Sequence, residues 1–378
     1  MIEFKLARRA IVKAGSFALA GGVLAALGLT LGCRRAENKL NAAAAGGDID
    51  PGVPVILYCS IDAGVLDPLL AQFTRETGIR VDVAGDTEAT KTIGLVQRIL
   101  SERARPRADL WLSSEAVGTV RLAREGVLLP LAETPTGVSA AGAARLRAAL
   151  DAWPTPWRRD QWVELAVRPR VVVFNTRDNL AAELPSFLHL ADPSFRGRIA
   201  LARARFGSTR GHVAALKVIL GTEKFSAFAR ALAQNAPRIC TGNGGVVLAV
   251  SRGECTVGVT DCDDIAAGIR EGWPVGYATV RDAGALIGTP STLALVRGAP
   301  NPRGAALLAA WLLEGALERA LAGGDWRATP IVASARSALA PPPPRTEPWR
   351  PAPAPLDWTA IEAGAEEALQ EWEATVEA

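Results

Sequence analysis

The chain has 378 residues, 49% of them hydrophobic and 21% charged, a balance typical of a globular protein large enough for two lobes. Its formal net charge is only +3. Because the basic residues are spread along the sequence, no basic face is expected and nucleic acid is excluded as a partner.

An export signal is predicted at the start of the chain. A basic segment that ends at Lys13 comes before an uncharged run over residues 14–32, which is the order found in signal segments. Arg8 and Arg9, followed by apolar residues and a lysine, resemble the twin-arginine pattern of proteins exported already folded. We therefore predict a signal segment over residues 1–32.

Cys33 is the predicted site of lipid attachment. The ending LTLGC at residues 29–33 resembles a lipobox, in which a small residue before the cysteine permits cleavage and the thiol receives the lipid. An uncleaved membrane anchor is the alternative, because about 18 apolar residues can just span a bilayer. Either way we expect an exported protein, periplasmic or at the cell surface, held at the membrane.

The remaining cysteines are Cys59, Cys240, Cys255 and Cys262. They form no Cys-x-x-Cys pair and have no zinc spacing. Isolated cysteines are more often buried as small apolar residues, but an exported chain also permits disulfides. Their disulfide state stays open at this point.

Residues 33–52 are small and polar and predict a flexible tether. After them, apolar residues at alternating and helical spacing predict a βαβαβ unit. Its strands are expected at 55–58, 79–83 and 108–112, with helices over 65–77 and 93–100 and a third that ends at Gly126.

A second unit of the same kind is predicted to follow. Its strands are expected at 171–174, 199–202, 256–260 and 275–280. Another apolar strand is expected at 291–296. A helix over 303–322, a stiff proline-rich linker over 339–355 and an acidic amphipathic helix over 361–376 complete the chain. Strands that alternate with helices predict an α/β fold whose ligands lie outside the carboxyl ends of the strands.

Five short motifs stand in a specific order between residues 53 and 332. They are YCS at 58–60, FTRETGIRV at 73–81, DTEATK at 86–91, ADLWL at 108–112 and ALVRGAPNP at 294–302. In this order and spacing they resemble the bacterial extracellular solute-binding proteins of the ferric-iron-binding type. The resemblance implies a two-lobed periplasmic-binding-protein fold of class II with the ligand cleft between the lobes.

The resemblance also implies how the chain is divided. The first lobe is expected to comprise 53–168 and 289–338, and the second 169–288 and 356–378, with crossing strands near 168–173 and 288–293. Closure of the lobes then couples ligand capture to recognition by a partner. The expected partners are an ABC permease in the membrane and a small-molecule or metal ligand, and the protein is expected to be a monomer.

Carboxylates occupy the family's ligand positions. Asp62 stands where iron binders have a histidine or another polar residue, Glu115 where they have a glutamate, and Asp263 and Asp264 where they have a tyrosine pair. Glu88 lies in a loop that resembles one branch of the group and is included as a ligand-binding residue. Since the chain has only two tyrosines, a ferric site with two phenolates of the usual kind is not expected.

Asp62, Glu115, Asp263 and Asp264 form the predicted metal site. Hard oxygen ligands suit Fe³⁺, Ca²⁺ or Mg²⁺, or the amino groups of an organic cation. The alternative is that Asp261 and Asp263 cap the helix that begins there. No cofactor is required, and Fe³⁺ would be the transported ligand.

Two glycine-containing loops resemble anion-binding positions of the family. Ser208 and Thr209 open one predicted helix and Asn243 opens another, where free N–H groups and the helix dipole attract anions. The same residue types also cap helices without binding a ligand. Arg170, at the first crossing, is expected to neutralise an anion or bridge the lobes, unless it is an ordinary solvated arginine.

These features predict the solute-binding component of an ABC importer. An enzyme is not expected, because the sequence has no Gly-x-Ser-x-Gly elbow and no spacing that pairs a cysteine with a histidine. Ferric iron held through carboxylates competes with an organic or anionic solute, such as a polyamine or a phosphonate. A sensor or scaffold lipoprotein with the same fold is a further alternative.

Overall fold

The computed structural model describes residues 52–85, 92–178, 186–205, 207–282, 287–323, 326–332 and 355–378. The predicted signal segment, Cys33, Glu88 and almost all of the tether and the proline-rich linker lie outside these residues. Within the described part of the chain, no helix is long and apolar enough to cross a bilayer.

The first lobe begins with the predicted βαβαβ unit. Its elements are β1 (Val55–Cys59), α1 (Ala63–Thr77), β2 (Val81–Gly85), α2 (Ile93–Ser101), β3 (Leu110–Ser113), α3 (Val117–Arg124) and α4 (Ala140–Asp151). Gly78 ends α1 at a positive φ of 77°, a conformation that glycine adopts without strain. Because β1 pairs in parallel with β2 and β3, the loops after these strands open at one edge of the sheet.

The second lobe repeats this alternation. Its elements are β5 (Ile199–Ala202), α5 (Gly207–Leu220), α6 (Thr222–Gln234), β6 (Arg238–Cys240), α7 (Asn243–Ser251), β7 (Val257–Asp261), α8 (Cys262–Arg270) and β8 (Val275–Thr279). β5 lies between β6 and β7 and is parallel to both. The helices α5, α7 and α8 therefore begin at the same edge of the sheet.

The long strand β4 (Val163–Asn175) joins the two lobes. Up to Pro169 it pairs with β9 (Gly288–Leu295), and from Arg170 onward it pairs with β7 and β8. The strand order is β2-β1-β3-β9-β4-β7-β5-β6, with β8 also paired to β4. This confirms the predicted two-lobed α/β class, in which strands cross between the lobes.

The helix predicted over 303–322 is interrupted. The structure has α9 (Pro302–Trp311), a π-helical turn at Leu312–Ala316 and α10 (Leu317–Ala322). Gly315 has a φ of 95°, which is incompatible with a regular helix. The prediction of one continuous helix was therefore wrong at this point.

The last helix, α11 (Trp358–Thr375), touches both lobes. Trp372 packs near the rings of Phe225 and Phe228 in α6, with centroids 6.1 and 6.3 Å away. At the other end of α11, Glu362 forms an ion pair with Arg124 of α3, with the nitrogen and oxygen atoms 2.6 Å apart. The predicted amphipathic helix thus buries its apolar face mainly on the second lobe.

The four described cysteines are thiols. Cys59, Cys255 and Cys262 are buried and Cys240 is half-buried. Burial as small apolar residues is the state that the sequence favoured.

Candidate functional site

A cavity of about 820 Å³ lies between the lobes. It opens at the carboxyl ends of the parallel strands, where α/β folds place their ligands. Both lobes and the crossing strand line it, through Ser60, Asp62, Ser114, Arg168, Ala202, Arg203, Gly207, Ser208, Thr209, Thr241, Gly242, Asn243, Gly244, Gly245, Asp261, Asp263, Asp264 and Trp326. It is the candidate ligand site.

Most of the predicted binding residues meet here. Six of them line the cavity, namely Asp62, Ser208, Thr209, Asn243, Asp263 and Asp264. Arg170 lies directly behind the wall, bonded to Ser208, and Glu115 is not among the lining residues. Glu88 lies outside the described residues.

Arg170 and Asp261 form a buried pair that organises the wall of the second lobe. The Nη1 atom of Arg170 donates to Oδ1 of Asp261 at 2.7 Å, to Ser208 at 3.1 Å and to Asn243 at 3.2 Å, and Nη2 donates to Thr209 at 3.4 Å. Ser208 and Asn243 also donate to Oδ2 of Asp261. Arg170 is 2% exposed, so the alternative of a solvated arginine was wrong.

A second arginine on the same strand, Arg168, faces the cavity. Its Nη1 atom donates to Asp263 at 3.0 Å, and its Nε atom lies 3.5 Å from Oδ2 of Asp261. The guanidinium carbon stands 4.7 Å from the centre of the Trp326 ring, and Nη2 donates to the Ser114 carbonyl at 3.5 Å. Arg168 thus contacts the carboxylates of the second lobe and the loop after β3 in the first.

Three carboxylates gather where β7 ends and α8 begins. Oxygen atoms of Asp261, Asp263 and Asp264 lie within 4.8 Å of one another, a spacing that a metal ion could bridge. Asp261 makes no side-chain capping bond to α8, so the capping alternative was wrong for it. Asp62 belongs to the same cavity and makes no capping bond to α1.

Burial and the two arginines set the charge of these groups. Burial by itself would raise the pKa of Asp261, but Arg170 and Arg168 hold that pKa below its usual value. Burial raises the pKa of Asp263, and Arg168 opposes the rise. Burial would lower the pKa of Arg168, yet Asp263 and Asp261 raise it. The guanidinium therefore stays charged beside the carboxylates.

Glu115 performs a local structural role in this conformation. Its Oε2 accepts the N–H of Val117 at 2.6 Å and its Oε1 accepts that of Gly118 at 2.9 Å. These are N–H groups of the first turn of α3, which have no partner within the helix. Burial raises the pKa of the Glu115 carboxyl despite these bonds. The structure therefore does not bring Glu115 together with the other predicted metal ligands.

Three helices of the second lobe direct their N-termini at the cavity. They are α5 at Gly207, α7 at Asn243 and α8 at Cys262. The side chains of Ser208, Thr209 and Asn243 are bonded within the network of Arg170 and Asp261. An anion in the cavity would therefore be attracted mainly by the positive ends of these helix dipoles.

Neither tyrosine lines the cavity. The Tyr58 hydroxyl donates to Glu102 at 2.9 Å, and burial together with that glutamate raises its pKa to about 12. Tyr277 is buried in the core of the second lobe. Trp111 is also a core residue, because its Nε1 donates to Thr119 at 2.7 Å in a fully buried position.

Sequence reasoning missed Arg168, Asp261 and Trp326 as site residues. Arg168 and Arg170 are two positions apart on β4, and alternate residues of a strand share a face, which was the available signal for the pair. Asp261 is set opposite Arg170 by the pairing of β4 with β7. Trp326 reaches the cavity from beyond α10, and we see no sequence signal for it.

The site and fold define a two-lobed binding protein of the periplasmic type. The chain belongs to the bacterial extracellular solute-binding protein family, whose model matches residues 55–323. This confirms the resemblance drawn from the motifs. It also places the protein among exported solute-binding components of ABC importers.

Relatives and solved structures agree with that family. The chain is 26% identical over 260 residues to Iron uptake protein A1 of Synechocystis sp., covering 66% of this chain and 68% of that protein. It shares its fold with iron-bound HitA from Pseudomonas aeruginosa at a TM-score of 0.66 and 23% identity, covering 85% of this chain and 99% of that one. The Trichodesmium protein IdiA (FutA), in complex with iron and citrate, gives a TM-score of 0.67 at 20% identity and also covers 85% of this chain and 99% of that one.

A further solved structure with this fold carries a different ligand. AfuA from Actinobacillus pleuropneumoniae, with fructose-6-phosphate bound, gives a TM-score of 0.64 at 15% identity and covers 86% of this chain and 98% of that one. The fold therefore does not by itself define the ligand.

Proposed function

We propose that this solute-binding protein captures ferric iron in its interlobe cavity and delivers it to the permease of an ABC importer. The observation that carries the proposal is the group of Asp261, Asp263 and Asp264, whose oxygens lie within 4.8 Å of one another, with Asp62 in the same cavity. Such hard oxygen donors suit Fe³⁺. The names of Iron uptake protein A1 and of iron-bound HitA support the same ligand.

The cargo on this proposal is iron bound to a small anionic chelator. Arg168 and Arg170 already neutralise part of the negative charge of Asp261 and Asp263, so the protein carboxylates leave much of a trivalent charge unmet. A bare ion would also fill only a small part of about 820 Å³. The chelator would lie against the N-termini of α5 and α7, which attract anions. The iron and citrate ligands of the Trichodesmium protein are consistent with this form.

An anionic organic solute without metal is the second candidate. The convergence of three helix N-termini on one cavity favours it, as does the sugar phosphate bound to AfuA. In that case the carboxylates would receive hydroxyl or amino groups of the solute rather than a metal.

Thermal unfolding with a ligand panel separates the two candidates. The purified protein would be heated with ferric citrate, citrate alone, fructose-6-phosphate, a phosphonate and spermidine. Ferric citrate should raise Tm in the wild type and in Asp67→Asn, an exposed carboxylate of α1 outside the cavity. The shift should disappear in Asp264→Asn. An equal shift with citrate alone, or a shift only with the phosphate ester, would favour the second candidate.

We also propose that the exported chain is lipidated at Cys33, works as a monomer and catalyses no reaction. Its lobes would comprise 53–168 with 289–338 and 169–288 with 356–378, in keeping with the change of strand partners between Pro169 and Arg170. Replacing Cys33 by alanine should move the protein from the membrane to the soluble fraction. Retention of the variant in the membrane would instead indicate an uncleaved anchor.

A further inference from the structure

Arg168 occupies the position where a cation would meet the carboxylates. Its guanidinium donates to Asp263 at 3.0 Å and lies 3.5 Å from Asp261, two of the three residues in the candidate metal group. The side chain is held on its other face by Trp326, 4.7 Å away. Arg168 is 7% exposed, so this is a built position rather than a surface contact.

The two arginines of β4 differ in how readily each could separate from its carboxylate partner. Arg170 is enclosed by four hydrogen-bonded side chains behind the cavity wall and is 2% exposed. Arg168 lines the cavity itself and has one close carboxylate contact, at 3.0 Å to Asp263, while its contact to Asp261 is 3.5 Å long. Arg168 is therefore held by fewer close hydrogen bonds than Arg170, and it is the arginine that a ligand in the cavity can contact.

We propose that Arg168 is a built-in counter-cation that binds the cavity carboxylates until a cargo cation displaces it, and that it thereby sets the selectivity of the site. A cation that binds Asp263 must first separate that carboxylate from a buried guanidinium, which costs as much free energy as the pair is worth. Weakly bound cations do not meet this cost. A cation of high charge density does, because its attraction to oxygen ligands is larger. The inference rests on the proposed metal cargo.

The test compares Arg168→Gln with two controls. Arg203→Gln removes one positive charge from the same cavity but touches none of the three carboxylates; the Arg203 side chain is 56% exposed. Arg168→Lys keeps the charge. Binding of Tb³⁺, an oxygen-seeking trivalent probe, is followed by luminescence sensitised by tryptophan, and Ca²⁺ binding by displacement of Tb³⁺.

Arg168→Gln should bind Tb³⁺ at least about tenfold more tightly than the wild type, which corresponds to about 1.4 kcal/mol, and should bind Ca²⁺ where the wild type does not. Arg203→Gln should change Tb³⁺ affinity less than about threefold, and Arg168→Lys should resemble the wild type. Structural damage would weaken binding, so a gain identifies the competition. Unchanged or weaker Tb³⁺ binding in Arg168→Gln would overturn the inference.

Ferric citrate separates this inference from the proposed function. If the wild type and Arg168→Gln bind ferric citrate equally, the iron cargo stands and the role of Arg168 falls. If neither binds it while Tb³⁺ behaves as expected, Arg168 competes for the carboxylates and iron is not the cargo.

Discussion

The guanidinium of Arg170 and the carboxylate of Asp261 meet at 2.7 Å in a place where neither side chain is more than 2% exposed. Removing one partner of such a pair leaves the other charged and buried. We expect Asp261→Asn to lower the free energy of unfolding by about 3–5 kcal/mol, measured by urea denaturation. Asp82→Asn, which removes an exposed partner of Arg80, is the control and should cost less than about 1 kcal/mol. Equal losses would contradict the central role of the buried pair.

The capping bonds of Glu115 give a prediction that separates stability from ligand binding. Glu115→Ala removes two acceptors from the first turn of α3 and should lower the free energy of unfolding by about 1–2 kcal/mol. Because Glu115 does not line the cavity, the affinity for ferric citrate should change less than about threefold. Asp264→Asn should show the opposite pattern, with little loss of stability and a large loss of affinity. A large loss of affinity in Glu115→Ala would restore it as a ligand, as the sequence predicted.

The sequence predicted most of the residues that line the cavity but not the hydrogen bonds and ion pairs between them. Asp62 and Asp263 could be placed in the cavity because each falls on a ligand position implied by the family resemblance and follows a predicted strand, and strand ends share one edge in an α/β sheet. Asn243 follows no predicted strand, and only the resemblance of its loop to an anion-binding position indicated it. The contacts between side chains in the cavity wall depend on strand register. The register of β4 and β7, for example, sets Asp261 beside Arg170. Short apolar patterns do not specify register across a long connection.

The role of Glu115 could not be predicted from the sequence for a different reason. Its place after the third strand suggested a ligand, yet it also stands two residues before the N–H that it accepts. Local capping and ligand binding require the same residue type at the same place. Only the direction of the side chain distinguishes them.

The packing of α11 on the second lobe makes its aromatic residues important for stability. Trp372 is 2% exposed and packs against Phe225 and Phe228. Trp372→Ala should lower the free energy of unfolding by about 3–5 kcal/mol, because it leaves a large cavity. Gln370→Ala, on the exposed face of the same helix, should change it by less than about 0.5 kcal/mol. Equal effects of the two would show that α11 is not docked as described.

Glu164 should make stability depend on pH near neutrality. It lies fully buried on β4 with Arg159 at 2.6 Å, and burial, opposed by Arg159, raises its pKa to about 7. In the unfolded chain this carboxyl returns to its usual value near 4.5. Between these values the folded protein holds a proton that the unfolded chain has lost, so stability falls as pH rises.

The expected loss from Glu164 between pH 5 and pH 8 is about 2–3 kcal/mol. Glu164→Gln cannot titrate and should lack this loss, so its stability relative to the wild type should rise between pH 5 and pH 8, as measured by urea denaturation at each pH. Asp160→Asn, an exposed neighbour, should leave the profile unchanged. Asp282, whose pKa burial raises to about 6, contributes a part of the same sign that ends at lower pH. Burial holds the pKa of His212 well below its usual value, so that group makes stability rise with pH and opposes Glu164. The test is therefore the difference between the two profiles, and a Glu164→Gln profile with the same slope as the wild type would show that Glu164 is ionised in the folded protein throughout.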